Sequence, residues 1–123
     1  MELLLKKFKE ENMENCIFCK IRDGIINSKK YYEDEDFFII ADISPKAKKH
    51  YLMIPKRHYK LISEQTKQDR QVLAKMLAKL NELQSELGLD GGYRLTINQD
   101  DDGGQEVSHL HIHVLGGEKL KDM

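Results

Sequence analysis

Apolar residues along the chain follow two periods, and the switches between them mark the expected elements. Leu4, Leu5 and Phe8 sit at helical spacing before a wholly polar stretch, which predicts a short amphipathic helix within residues 1 to 15. That segment reads as an appendage to a domain over residues 16 to 123. Cys16 to Arg22 suggest a helical turn stopped at Asp23-Gly24, where glycine accepts the left-handed conformation. Residues 30 to 33 and the run Phe37-Phe38-Ile39-Ile40-Ala41, joined by the acidic turn Asp34-Glu35-Asp36, read as a hairpin that Ser44-Pro45 ends. Residues 50 to 55 form a third strand closed by Pro55, which cannot donate to a ladder, and Lys56-Arg57-His58 then form a turn. Over residues 66 to 87, Leu73, Met76, Leu77, Leu80, Leu83 and Leu87 recur at steps of three and four, giving one long helix with a core-packing stripe that ends at Gly88. Residues 93 to 98 and 109 to 115 complete the set as fourth and fifth strands, separated by an aspartate- and glycine-rich loop. One long helix against five antiparallel strands is an α+β two-layer sandwich.

Composition narrows the function. A chain of 123 residues, 40% hydrophobic and 33% charged, has the balance of one soluble globular domain and excludes disordered and collagenous classes. Twenty basic residues against 21 acidic ones leave a net charge of -1, so no overall positive field is available to hold a nucleic acid. No apolar run approaches the roughly 20 residues needed to cross a bilayer, and nothing near the start resembles a signal peptide. The expectation is a cytoplasmic protein with reduced thiols and no membrane partner. Cys16 and Cys19 have the spacing of a metal clamp or redox pair. A thioredoxin-like role is disfavoured because the pair precedes every strand, and the plain alternative is two small buried hydrophobes.

Three of the five histidines fall in His109-Leu-His-Ile-His113. Strand alternation sends His109, His111 and His113 to one face, about 7 Å apart, and Leu110, Ile112 and Val114 to the other. The apolar face can pack on the helix. The histidine face admits three readings: a polar surface, a metal site, or a nucleophilic centre in which a neutral imidazole attacks phosphorus while its neighbours orient it or donate to phosphate oxygens. Asp102-Gly103-Gly104-Gln105, just before the strand, lets backbone amides approach a phosphate as an anion nest does.

Residues 103 to 117, Gly-Gly-Gln-Glu-Val-Ser-His-Leu-His-Ile-His-Val-Leu-Gly-Gly, resemble the signature of the histidine triad superfamily, and their ending is similar to its Hint branch. Asp42-Ile-Ser-Pro45, the block from His50 to His58, and Gly92-Tyr-Arg-Leu-Thr-Ile-Asn98 match Hint blocks in the same order, so the likeness spans roughly residues 16 to 117. The resemblance implies a homodimer whose five-stranded sheets join, and a site for purine nucleoside monophosphates or phosphoramidates. It implies that His111 attacks the α-phosphorus and becomes nucleotidylated, that His113 contacts the phosphate, and that Asn98, Gly104 and Gln105 position phosphate and leaving group. Asp42 would accept the ribose hydroxyls and Ile43 would pack near base or ribose. No metal is required for this chemistry, which is largely positioning and charge stabilisation.

Cys16-Ile-Phe-Cys19-Lys-Ile resembles the N-terminal block of histidine triad proteins that hold a structural zinc. There, two histidines complete the site, and they map to His50 and His109, which would give the closed Cys2His2 set that structural zinc prefers. As a ligand His109 could not be the nucleophile, which supports His111. Animal Hint proteins carry serine where this chain has Glu106, so the leaving-group contact differs there. Bacterial relatives often carry glutamate, pointing to a bacterial origin. Only residues 118 to 123 follow the glycine pair, where Hint tails reach the partner's site. The expected activity is hydrolysis of purine nucleoside phosphoramidates and related aminoacyl adenylates. The alternatives are diadenosine polyphosphate hydrolysis, a non-catalytic nucleotide-binding adaptor, and a zinc-binding structural protein.

Overall fold

The computed structural model describes residues 15–122, and the short helix expected in residues 1 to 15 lies outside them. Five strands make one antiparallel sheet: β1 (Tyr32–Glu33), β2 (Phe37–Ala41), β3 (Lys49–Pro55), β4 (Tyr93–Thr96) and β5 (Ile112–Gly116), in the order β1-β2-β3-β5-β4. Among the described residues two α-helices accompany it, α1 (Ile17–Arg22) and the long α2 (Lys67–Leu83). Thr66 caps α2 by accepting from the Asp69 N–H at 3.1 Å, while the Asp69 carboxylate accepts from the Thr66 N–H at 2.8 Å. This reciprocal box satisfies two amides that the first turn would otherwise leave unbonded.

One face of the sheet presents Phe37, Ile39, Tyr51, Met53, Ile112 and Val114 to Met76 and Leu80 of α2. The opposite face presents Phe38, Ile40, Leu52 and Ile54 to Cys16, Phe18, Cys19 and Ile21 of the α1 segment. Covered on both faces, β2 and the middle of β3 read as unbroken apolar runs. The second apolar face exists because α1 lies across it, and its end holds the histidines.

The ladders are shorter than the pattern suggested. The first strand starts at Tyr32 rather than residue 30, the fourth ends at Thr96 rather than residue 98, and α2 gives way to turns after Leu83 rather than running to residue 87. The fifth begins at Ile112, so His109 and His111 precede the paired segment. There the Leu110 N–H donates to the Tyr59 carbonyl and the His109 carbonyl is taken up by the His111 ring. Leu110 nonetheless stays buried with Ile112 and Val114, so the alternation continues beyond the ladder.

Candidate active site and metal centre

Two histidine clusters flank His111. The first gathers Cys16, Cys19, His58 and His109, whose ligating atoms all lie within 4.8 Å of one another. Cys16 Sγ and Cys19 Sγ stand 3.3 and 3.6 Å from His109 Nδ1, Cys19 Sγ is 3.3 Å from His58 Nδ1, and the two Nδ1 atoms are 3.0 Å apart. Tetrahedral zinc with ordinary Zn–S and Zn–N bonds requires edges of about 3.3 to 3.8 Å. The four atoms are close to that size, and two thiols with two imidazoles are the donors zinc favours. His109 Nε2–H donates to the Pro55 carbonyl at 2.7 Å, which leaves the Nδ1 lone pair facing the thiols. Burial pushes the His109 imidazole down to about 4, so at neutral pH it is uncharged and fit to ligate. Burial and the adjoining Cys16 push the Cys19 thiol up to about 12, a proton that a metal would displace.

His50, expected as the fourth ligand, is not in this cluster; His58 is. The register explains the exchange. His50 pairs with Leu115 and Met53 with Ile112, so each step back along the fifth segment is a step forward along β3. His109 therefore arrives beyond Pro55, roughly 20 Å along the strand from His50. His58, expected only in a turn, sits just past the end of β3 beside the thiols. Arg57 anchors this segment through a two-pronged ion pair to Asp69, one arm at 2.8 Å.

The second cluster is Asp42, His50 and His113. The Lys46 N–H donates to His50 Nδ1 at 3.1 Å, which puts the His50 proton on Nε2. From there it donates to His113 Nδ1 at 2.9 Å, with Asp42 Oδ2 3.4 Å away. His113 is thereby left with its proton on Nε2. Asp42, His50 and His113 could by distance surround a cation, but the protonated Nε2 of His50 has no lone pair to offer one. This cluster is a hydrogen-bonded relay. Burial lowers both rings, His113 to about 4, so the relay is neutral near pH 7.

His111 stands between the two. Its Nδ1–H donates to the His109 carbonyl at 2.8 Å, leaving a lone pair on Nε2. Burial lowers its proton affinity, against smaller opposing contributions from the His109 carbonyl, Asp42 and Glu106. Phe18 packs edge-on against the His109 and His111 rings, with centroids 5.8 and 5.1 Å apart. One histidine offers a lone pair and its neighbour an N–H, a division set entirely by what each ring's other nitrogen bonds.

A cleft of about 320 Å³ opens over His111 and His113. Asp42, Ile43, Asn98, Gly104 and Glu106, all expected near a nucleotide, line it, and Ile43 is 93% exposed. Ile17, Phe18 and Ile21 of α1 form an apolar wall that sequence reasoning had not connected to it. The periodicity of α1 carries that signal, since a helix capped by Cys16 puts Phe18 and Ile21, three residues apart, on the buried side with Cys19. Gln105 departs from expectation. Its side chain accepts from the Asp100 N–H at 2.8 Å and donates to the Lys60 carbonyl at 3.0 Å, so it ties the loop together instead of lining the cleft. The Gly104 and Gln105 amides likewise donate within the loop, to the Asp101 and Asp100 carbonyls, which removes them as an anion nest. Gly104 has φ +74°, and a Cβ on Gly103 would strike the Gln99 backbone, so both glycines serve this tight turn.

Comparison with known proteins agrees with this geometry. Residues 15–122 match the family described as scavenger mRNA decapping enzyme C-term binding. Protein HitA of Neisseria gonorrhoeae is 41% identical over 104 residues, spanning 85% of this chain and 97% of that protein. The crystal structure of a HIT family hydrolase from Legionella pneumophila superposes with a TM-score of 0.81 at 41% identity, covering 87% and 96% of the two chains. A zinc-bound histidine triad family protein from Mycobacterium smegmatis is 31% identical with a TM-score of 0.75, covering 86% of this chain and 77% of that one. The chain belongs to the histidine triad (HIT) family.

Proposed function

We propose that the protein is a nucleotide-binding hydrolase that cleaves purine nucleoside phosphoramidates, and related aminoacyl adenylates, at the α-phosphorus through a nucleotidyl-His111 intermediate. The observation that carries this reading is the tautomer pair. His111 is held with Nε2 unprotonated by its bond to the His109 carbonyl, while the Lys46–His50 chain leaves His113 with an Nε2–H to donate. A nucleophile and a phosphate donor therefore stand side by side, ring centroids 5.0 Å apart. The purine lies between Ile43 and the α1 wall, the ribose hydroxyls bond Asp42, and the phosphate meets His113 and Asn98. His111 Nε2 bonds to phosphorus as the P–N bond breaks, and the nitrogen takes one proton from solvent and leaves as the neutral amine. Water then attacks phosphorus and gives up a proton to solvent, the P–Nε2 bond breaks, and the nucleoside monophosphate departs with the imidazole restored.

Zinc is assigned to Cys16, Cys19, His58 and His109, where it would fix His109 and α1 without entering the reaction; the zinc-bound mycobacterial relative and the donor set support this. A homodimer is assigned to β4, which among the described residues pairs only with β5 and so has a second edge for a copy of itself. No helix among the described residues is long and apolar enough to cross a membrane, and the free thiols suit the cytoplasm.

Incubation with adenosine phosphoramidate tests the reading. The wild type should release AMP, and His111→Ala should lower kcat/KM by about a thousandfold or more. Absence of AMP release sinks the reaction, and retained turnover in the variant sinks the nucleophile.

A further inference from the structure

The charged side chains lining the cleft are Asp42, Lys46 and Glu106, two carboxylates to one amine. A nucleotide adds its own phosphate charge. Asp42 and Lys46 belong to the segment after β2, whereas Glu106 stands on the glycine loop that forms another wall. That loop is acidic throughout. Asp100 is paired with Lys60 at 3.0 Å, but Asp101, Asp102 and Glu106 are exposed and form no ion pair among the described residues. The loop is also rigidly shaped, because the Gly104 and Gln105 amides and the Gln105 side chain are spent inside it. Glu106 thus gives the loop side of the cleft that holds His111 a negative rim, and Asp101 and Asp102 add exposed negative charge to the same loop.

From this rim we infer that the site selects substrates whose leaving amine carries a second, positively charged group, such as the phosphoramidates of diamines. The inference rests on the nucleoside placement proposed above. With base and ribose between α1 and Asp42, whatever extends beyond phosphorus meets the loop bearing Glu106. A distal ammonium there offsets the carboxylates. A distal carboxylate or a polyphosphate adds like charge, which a low-dielectric cleft penalises. Leaving groups of the diadenosine polyphosphate type are therefore disfavoured by charge alone.

Three adenosine phosphoramidates of nearly equal size test this: those of putrescine, of pentylamine and of γ-aminobutyrate, with distal groups positive, neutral and negative. In the wild type kcat/KM should fall in that order, by about tenfold per step at low ionic strength, and the span should shrink in high salt. Glu106→Gln should cut the span about tenfold, and Asp101→Asn with Asp102→Asn by a smaller factor. The affinities of the same compounds, read by calorimetry on His111→Ala, should follow the same order. If none is hydrolysed yet the affinities keep that order, the hydrolytic reading fails and the charge selection stands. Equal values for all three, a span untouched by Glu106→Gln, or no binding by any of them overturns the inference.

Discussion

The two histidine clusters are built from the same ring at opposite ends of β3, yet they suit different chemistry. At one end of β3, His109 turns an unprotonated Nδ1 toward two thiols, and His58 brings its own Nδ1 within 3.3 Å of Cys19 Sγ. At the other, His50 keeps the same tautomer but the backbone N–H of Lys46 occupies its Nδ1 lone pair, so its Nε2–H turns to His113, with Asp42 beside them, and no lone pair is left for a cation. The histidine's surroundings, more than its presence, decide between ligand and proton carrier. His111 takes its orientation from the first cluster, through the His109 carbonyl, and its working neighbour from the second.

Removing a thiol should break the comparison most severely. Cys19→Ser leaves three donors and a buried, partly unpaired pocket, and it frees α1 from the sheet. We expect loss of bound zinc and about 3 kcal/mol or more of stability, read by metal analysis and denaturant unfolding. Full zinc content in this variant would show that the first cluster is not a metal centre.

Exchanging the histidines sharpens the contrast. His58→Ala should lose zinc, whereas His50→Ala should keep it, fold normally, and lower kcat by about ten- to a hundredfold because His113 is no longer held as a donor. Zinc loss in His50→Ala, with zinc kept in His58→Ala, would restore the ligand set expected from resemblance.

Acid should act on both clusters together. The folded values of His109 and His113 lie at about 4, below the ordinary 6.5 of an exposed ring. Between those limits the unfolded chain binds more protons than the native one. Stability is therefore complete above about pH 6.5 and falls as pH drops toward 4, by about 1.4 kcal/mol per pH unit for each such group once fully in that window. Denaturant melts of wild type and His113→Asn should differ in this slope. Equal slopes would remove His113 from the effect.

Much of this arrangement could be read from residue order. The alternation in residues 109 to 113 placed three histidines opposite Leu110 and Ile112, and the stripe from Leu73 to Leu83 gave the long helix that covers the other face. What period could not supply was register. Choosing His58 over His50 depends on which β3 residue faces His109, a long-range pairing that Pro55 and the turn after it do not encode locally. The turning-in of Gln105 was hidden for a similar reason, since its partners, Asp100 and Lys60, are brought together only by the folded loop. Phe18 and Ile21 were missed as cleft residues because apolar positions beside cysteines also suit plain core packing.

The smallest expected effect lies at Arg57, which joins the His58 segment to the start of α2. Its guanidinium holds the Asp69 carboxyl down to about 2, with the Thr66 amide and hydroxyl adding to this. Asp69 is buried, but Arg57 is half exposed, so solvent screens the pair and its worth falls well below what the shift alone suggests. Arg57→Ala should cost about 1 kcal/mol near neutral pH. Because the folded carboxyl titrates below its unfolded value, the stability from its partners is present above about pH 4 and is lost as pH falls toward 2. The variant should therefore melt below the wild type at pH 7 and approach it in strong acid. It should also bind zinc slightly more weakly while leaving the His50–His113 relay alone, so a competitive chelator titration and kcat should separate. An equal drop in kcat with unchanged zinc affinity would mean that Arg57 supports the relay end of β3 instead.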